Sequence, residues 1–196
     1  MAYYEELNPI VMGIIGERFL RNQELCKLLH YFDKDPLSRP FIENTNSVFM
    51  KNIFPMPKLP DASTEKEAYV TVVLSGGYEA EENAGFRRVN LLIDIICHLD
   101  VWIVKGGFRP YSIMHEIDRM LNNQITDLPI VNKPYLRGFQ PRDYSNYFYG
   151  FQVIYELSIN SNIACNPKPQ NLNIEENSTI KIPSYLPKNL NLRNIK

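Results

Sequence analysis

Between Arg87 and Leu99 the side chains alternate with a period of two. Val89, Leu91, Ile93, Ile95 and Cys97 fall on one side, and Asn90, Leu92, Asp94, Ile96 and His98 on the other. Successive side chains of a strand point to opposite faces, so the segment predicts a strand whose first face is core. The second face mixes charge with two large aliphatics, which suits a sheet surface partly covered by a neighbour. The alternation returns at the other end of the domain: Tyr147, Tyr149, Phe151, Val153, Tyr155 and Leu157 stand against Phe148, Gly150, Gln152, Ile154, Glu156 and Ser158. That run predicts the final strand. Tyr69–Leu74 is rich in β-formers and predicts another, with extended stretches at Val48–Phe54 and around 101–104.

Two segments change period. Val11, Met12, Ile15, Phe19, Leu25, Leu28, Leu29 and Phe32 recur mostly every three to four residues, which predicts a helix from about Pro9 to Tyr31. Asn8-Pro9 suits its start, Gly13 and Gly16 weaken its first half, and Asn22 can restart it as a fresh cap. Downstream, Gly106-Gly107 reads as a turn before a second helix from Pro110 to Asn122. Its apolar stripe is Pro110, Ile113, Met114, Ile117, Met120 and Leu121, with Glu116, Asp118, Arg119 and Asn122 facing away. Arg109 then sits at the positive end of that helix, an unfavourable place for a cation. It calls for a carboxylate, with Asp94 or Asp100 available, or for an acceptor on another subunit.

The rest is connection. Asp33–Ser63 carries Pro36, Pro40, Pro55, Pro57 and Pro60 and is expected to wrap the surface or meet another subunit. Gly76-Gly77 with the acidic run from Glu79 to Glu82 reads as an exposed link between strands, and Thr126–Asp143 as loop and turn. The predicted fold class is α+β: a small, mostly antiparallel four-stranded sheet packed with two main helices, occupying residues 1–159. Residues 160–196 differ in character, with nine Asn, four Pro and isolated aliphatics that include Leu186 and Leu190. An extended arm that docks along a neighbour accounts for that mixture.

Charge and chemistry narrow the function classes. A hydrophobic content of 44% supports a sizeable core, and 21 basic against 22 acidic residues argue against a dedicated nucleic-acid binder. The segment 160–196 is locally basic, with five cations and two anions. Cys26, Cys97 and Cys165 are odd in number and far apart, so free thiols in a reducing compartment are expected. The start, Met1-Ala2-Tyr3-Tyr4, lacks the features of a signal peptide, and no apolar run approaches bilayer length, so no membrane association is expected. His30, His98 and His115 form no ligand pair, and His98-x-Asp100 lacks a nucleophile, so a ring hydrogen bond is the better role for His98. Neither glycine pair has a phosphate-loop spacing. No catalytic, cofactor or metal site is expected. A small cytoplasmic enzyme is kept only as the alternative from a different class, to be favoured by a deep cleft around His98 or His115. The aromatic run from Tyr144 to Tyr155 has too few basic neighbours for base stacking and is assigned to core or interface.

Element order carries a resemblance. The segments Leu20-Arg21-Asn22-Gln23-Glu24-Leu25-Cys26-Lys27-Leu28-Leu29 and Ile95-Ile96-Cys97-His98-Leu99-Asp100, with Arg109-Pro110-Tyr111 and Ile117-Asp118, resemble the tail-terminator and tail-completion (neck) proteins of tailed bacteriophages over about residues 9–158. The resemblance implies a virion structural protein, assembled in the bacterial host cytoplasm. It implies a homo-oligomeric ring, usually of six subunits, that ends the tail tube and joins it to the head connector. DNA would pass through the lumen without sequence recognition. A head-completion or stopper protein of the same neck is the structural alternative. Independently of that likeness, a small sheet exposes two edges that a closed ring can protect. The candidate contact residues are Leu92, Ile96, Arg109, Tyr149, Phe151, Ile154, Leu186 and Leu190.

Overall fold

A computed structural model of the chain describes residues 7–58, 66–80, 83–122, 130 and 133–160. The N-terminal periodicity resolves into three pieces. Helix α1, Leu7–Gly13, runs into a π-helical turn, Ile14–Phe19, and helix α2, Gln23–His30, restarts after Asn22. The interruption falls where Gly13 and Gly16 lower helix propensity. Asn22 takes up the restart as expected, its Oδ1 accepting from the Leu25 amide at 3.0 Å.

The sheet has five strands rather than four, in the order β1-β2-β3-β7-β6. They are β1 (Ile53–Phe54), β2 (Ala68–Ala80), β3 (Asn83–His98), β6 (Tyr135–Asp143) and β7 (Phe148–Asn160). All pairings are antiparallel except β1 with β2. A separate hairpin joins β4 (Ile103–Val104) to β5 (Gly107–Phe108), turning through Gly106 at φ +89°. Helix α3, Arg109–Leu121, follows directly. The architecture is a small α+β domain with a mixed, mainly antiparallel sheet and three helices.

Two expectations need correction. β2 continues through Gly76-Gly77, with a register shift between Ser75 and Tyr78, where a loop was expected. β6 occupies half of the segment read as loop and turn. Its burial pattern explains the miss, because eight of its nine residues are exposed and no apolar alternation marks it.

The core lies between the helices and one sheet face. Val89, Leu91, Ile93, Ile95 and Cys97 of β3 meet Val153, Tyr155 and Leu157 of β7, and Phe19, Leu25, Leu29, Ile113 and Ile117 cover them. Each such side chain contributes about 1.5–3 kcal/mol on burial. The proline-rich loop joins in through Ile42, Val48, Phe49 and Ile53. Gln23 pins it, exchanging two 3.0 Å hydrogen bonds with the backbone of Ile42.

Cys26 and Cys97 are free and fully buried. Burial pushes both thiols up to about 12. At pH 8 the thiolate fraction is then about one in ten thousand. A maleimide is expected to modify neither until the chain unfolds, and native-rate labelling followed by peptide mapping would show otherwise.

Residues 161–196, with Leu186 and Leu190, lie outside the described residues. Among the described residues, no helix is long and apolar enough to cross a membrane.

Candidate interaction surface

Arg109 organises the end of the domain where the hairpin meets α3. It is completely buried, and its acceptors are backbone carbonyls rather than the expected carboxylates or another subunit. Nε donates to Val101 O at 2.7 Å, Nη1 to Tyr31 O at 2.9 Å and to Leu28 O, and Nη2 to Asp33 O at 2.8 Å. Leu28 and Tyr31 belong to the C-terminal end of α2, where orphan carbonyls and the negative dipole end favour a cation. Burial lowers the Arg109 pKa, while Cys97 and Asp33 act against that shift. Arginine nonetheless stays charged, so its carbonyl partners are obligatory. Lys105 adds a second tie, its amide donating to Lys34 O at 2.6 Å and its ammonium meeting Asp35 at 2.9 Å.

The hairpin held this way presents Ile103 and Phe108, a cross-strand pair, to solvent. A strip of rings continues from it. Phe108 stands 6.3 Å from Tyr111, Tyr111 4.7 Å from Phe151, and Phe151 5.9 Å from Phe139 of β6. Ile103, Phe108, Tyr111, Leu136 and Phe139 are all exposed, Phe139 by 52%. The cause is architectural: α3 packs chiefly over β3 and β7 and leaves β6 largely exposed. Beside β6 lies a shallow notch of about 210 Å³, lined by Tyr111, Met114, His115, Asp118, Leu136, Phe139, Val153 and Tyr155.

The opposite sheet face is built in rows set by the register. Phe54, Tyr69, Ile96 and Phe148 form a small second core against Tyr144. Next comes the polar row Thr71, Asp94, Gln152 and Gln140. Asp94 accepts from Thr71 Oγ1 at 3.2 Å, Tyr144 Oη at 2.9 Å and Gln152 Nε2 at 3.0 Å. Burial raises the Tyr144 pKa, and the neighbouring Asp94 carboxylate adds to that rise. The third row, Val73, Leu92 and Ile154, is apolar and half-exposed.

The sequence-derived contact residues therefore separate. Leu92 and Ile154 are register partners, half-exposed on the open face. Tyr149 is half-buried on the helix side. Ile96, Phe151 and Arg109 are buried within the chain itself, so they offer no surface to another copy. Ile96 fails because Phe54, from the proline-rich loop, closes over it. The strip residues Ile103, Phe108, Tyr111, Leu136 and Phe139 were not selected, although Ile103 and Phe108 flank a glycine turn where exposure was legible.

His98, Asp100, Glu116 and Asp118 make structural contacts. His98 is buried, accepts from the Asp100 amide through Nδ1 at 3.0 Å, and stacks on Tyr147 at 6.0 Å. It is thus an acceptor, and the Asp100 carboxylate pairs with Lys66 at 2.8 Å instead of orienting the imidazole. Glu116 and Asp118 face inward, contrary to the helical reading. Glu116 accepts from Asn22 at 2.9 Å and from Arg119 at 2.5 Å. Burial works to raise its pKa, but those hydrogen bonds outweigh it and hold the carboxyl below its ordinary value. Asp118 accepts from Tyr155 Oη at 2.9 Å. The notch that contains His115 is smaller than the ~300–1,000 Å³ usual for small-molecule pockets. Among the described residues, no group of three or more His, Cys, Asp or Glu is placed to hold a metal ion.

No curated protein matches this chain. A family model does: YomW, over residues 22–157, which runs from α2 into β7 and includes Arg109, the ring strip and the Asp94 row. With more than half of its length matched, the chain belongs to the YomW family.

Proposed function

We propose that this protein is a virion structural protein that assembles with its own copies into a ring at the neck of a tailed bacteriophage. In this reading it ends the tail tube, joins it to the head connector, and lets DNA pass through the lumen without reading sequence. Six copies make the ring, and assembly takes place in the host cytoplasm. The tail-terminator likeness in element order and in the segments around Leu20–Leu29 and Ile95–Asp100 supports the family of roles.

One observation carries the reading. β6 is a nine-residue edge strand, among the described residues no strand pairs with its outer side, and exposed rings flank it. Free strand edges and contiguous apolar patches are liabilities in a lone subunit, and closed symmetric assembly removes both. The half-exposed Leu92/Ile154 row offers a second contact on the open face.

The test is the mass of the purified species, with imaging of the ring and its bore. Phe139→Asp is expected to leave the unfolding midpoint nearly unchanged, within about 0.5 kcal/mol, because the ring is exposed in the subunit. It is expected to weaken assembly at least about tenfold. A chain that stays solitary, alone and when mixed with tail-tube and connector proteins, overturns the reading. Capture by the head connector in the absence of tails would assign it the head-completion role instead.

A further inference from the structure

We infer that the outer side of β6 is filled by residues 179–182 of a neighbouring copy, added as a sixth strand of the sheet; this names the occupant of the surface just described and rests on the ring reading. The segment reads Thr179-Ile180-Lys181-Ile182 and is followed by Pro183. Its β-branched residues favour a strand, its period of two puts Ile180 and Ile182 on one face, and Pro183 ends the pairing. Side chains on neighbouring strands share faces at paired positions. Leu136 and Phe139 lie on the helix side of β6, paired with Tyr155 and Val153. Ile180 and Ile182 added at this edge extend that apolar face over the notch beside Tyr111 and Met114. Pro141 limits the added strand to the first part of β6, residues 135–140.

Chain path selects a neighbour over the same copy. The last described residue, Asn160, ends β7 at the end where β6 begins. There Ile130, in the chain entering β6, bridges to Ile159. Connections seldom cross at one end of a sheet, which favours a neighbouring copy over a return from Asn160 to the outer edge of its own β6. The 18 residues from 161 to 178 span up to about 60 Å when extended, enough to pass beyond one small domain.

Amide exchange and mass, measured on the same full-length samples, test the inference. In the assembled wild type, the β6 amides that point away from β7 are expected to exchange at least about tenfold more slowly than in samples diluted to monomer. Ile180→Lys with Ile182→Lys is expected to remove that protection while leaving β3 amides unchanged. An assembled double variant that keeps the protection overturns the inference and leaves the ring reading standing. Protection that persists in monomer and is lost in the variant assigns the strand to the same copy and overturns the neighbour. A wild type that never assembles and has open β6 amides overturns both.

Discussion

Arg109→Ala is expected to lower the unfolding free energy by about 3–5 kcal/mol, seen as a lower urea midpoint with an unchanged slope. Two costs combine. The carbonyls of Leu28, Tyr31, Asp33 and Val101 lose a charged donor, those of Leu28 and Val101 at buried positions, and a long, fully buried side chain leaves a cavity. Arg109→Lys is expected to recover only part of the loss. It restores the charge, but one ammonium cannot reproduce a planar fork that reaches four carbonyls. The loss also reaches the proposed contact surface, because Arg109 lies between Phe108 and Tyr111 in the chain and anchors the segment that carries them. An alanine variant within 1 kcal/mol of wild type would show that the carbonyls find other donors.

Gly150→Ala is expected to destabilise by about 3 kcal/mol or more, at the upper end of what overpacking costs. Gly150 faces Ile96 across the β3–β7 ladder, and a Cβ at this position would stand 1.7 Å from the Ile95 carbonyl oxygen and 2.8 Å from its carbon. Those atoms are backbone in the middle of the sheet, so relief requires the two central strands to separate, with loss of ladder hydrogen bonds. Gly107→Ala is the control. Nothing lies within 4 Å of a Cβ there, and its effect is expected within about 0.5 kcal/mol. Equal midpoints for the two variants in thermal or urea unfolding would contradict the close approach.

The two cases differ in legibility. Arg109 was visible as an anomaly, since a cation at a helix N-terminus needs a compensating partner. Its partners were not visible, because every residue carries a carbonyl and only folding decides which ones converge. The expected Asp94 is instead held by Thr71, Tyr144 and Gln152. Gly150 gave no signal beyond its place in an alternating strand. β6 was missed for a related reason: an edge strand exposed on both faces carries no hydrophobic period. Glu116 was misplaced because helical periodicity sorts residues by polarity. Asn22, at the start of α2, offers this carboxylate a polar contact that polarity alone does not foresee.

By itself, the chain's alternation determined the central strands β3 and β7 and which of their faces is core, since burying one face of a pleated strand demands a period of two. Its three-to-four spacing likewise determined α3, and the Asn22 amide marked where the broken N-terminal helix resumes. Tertiary structure alone decided that Phe54 covers Ile96, that α3 leaves β6 largely exposed, and that rings from hairpin, helix and edge strand meet in one strip. Those outcomes depend on distances between segments far apart in the chain, and local periodicity carries no information about such distances.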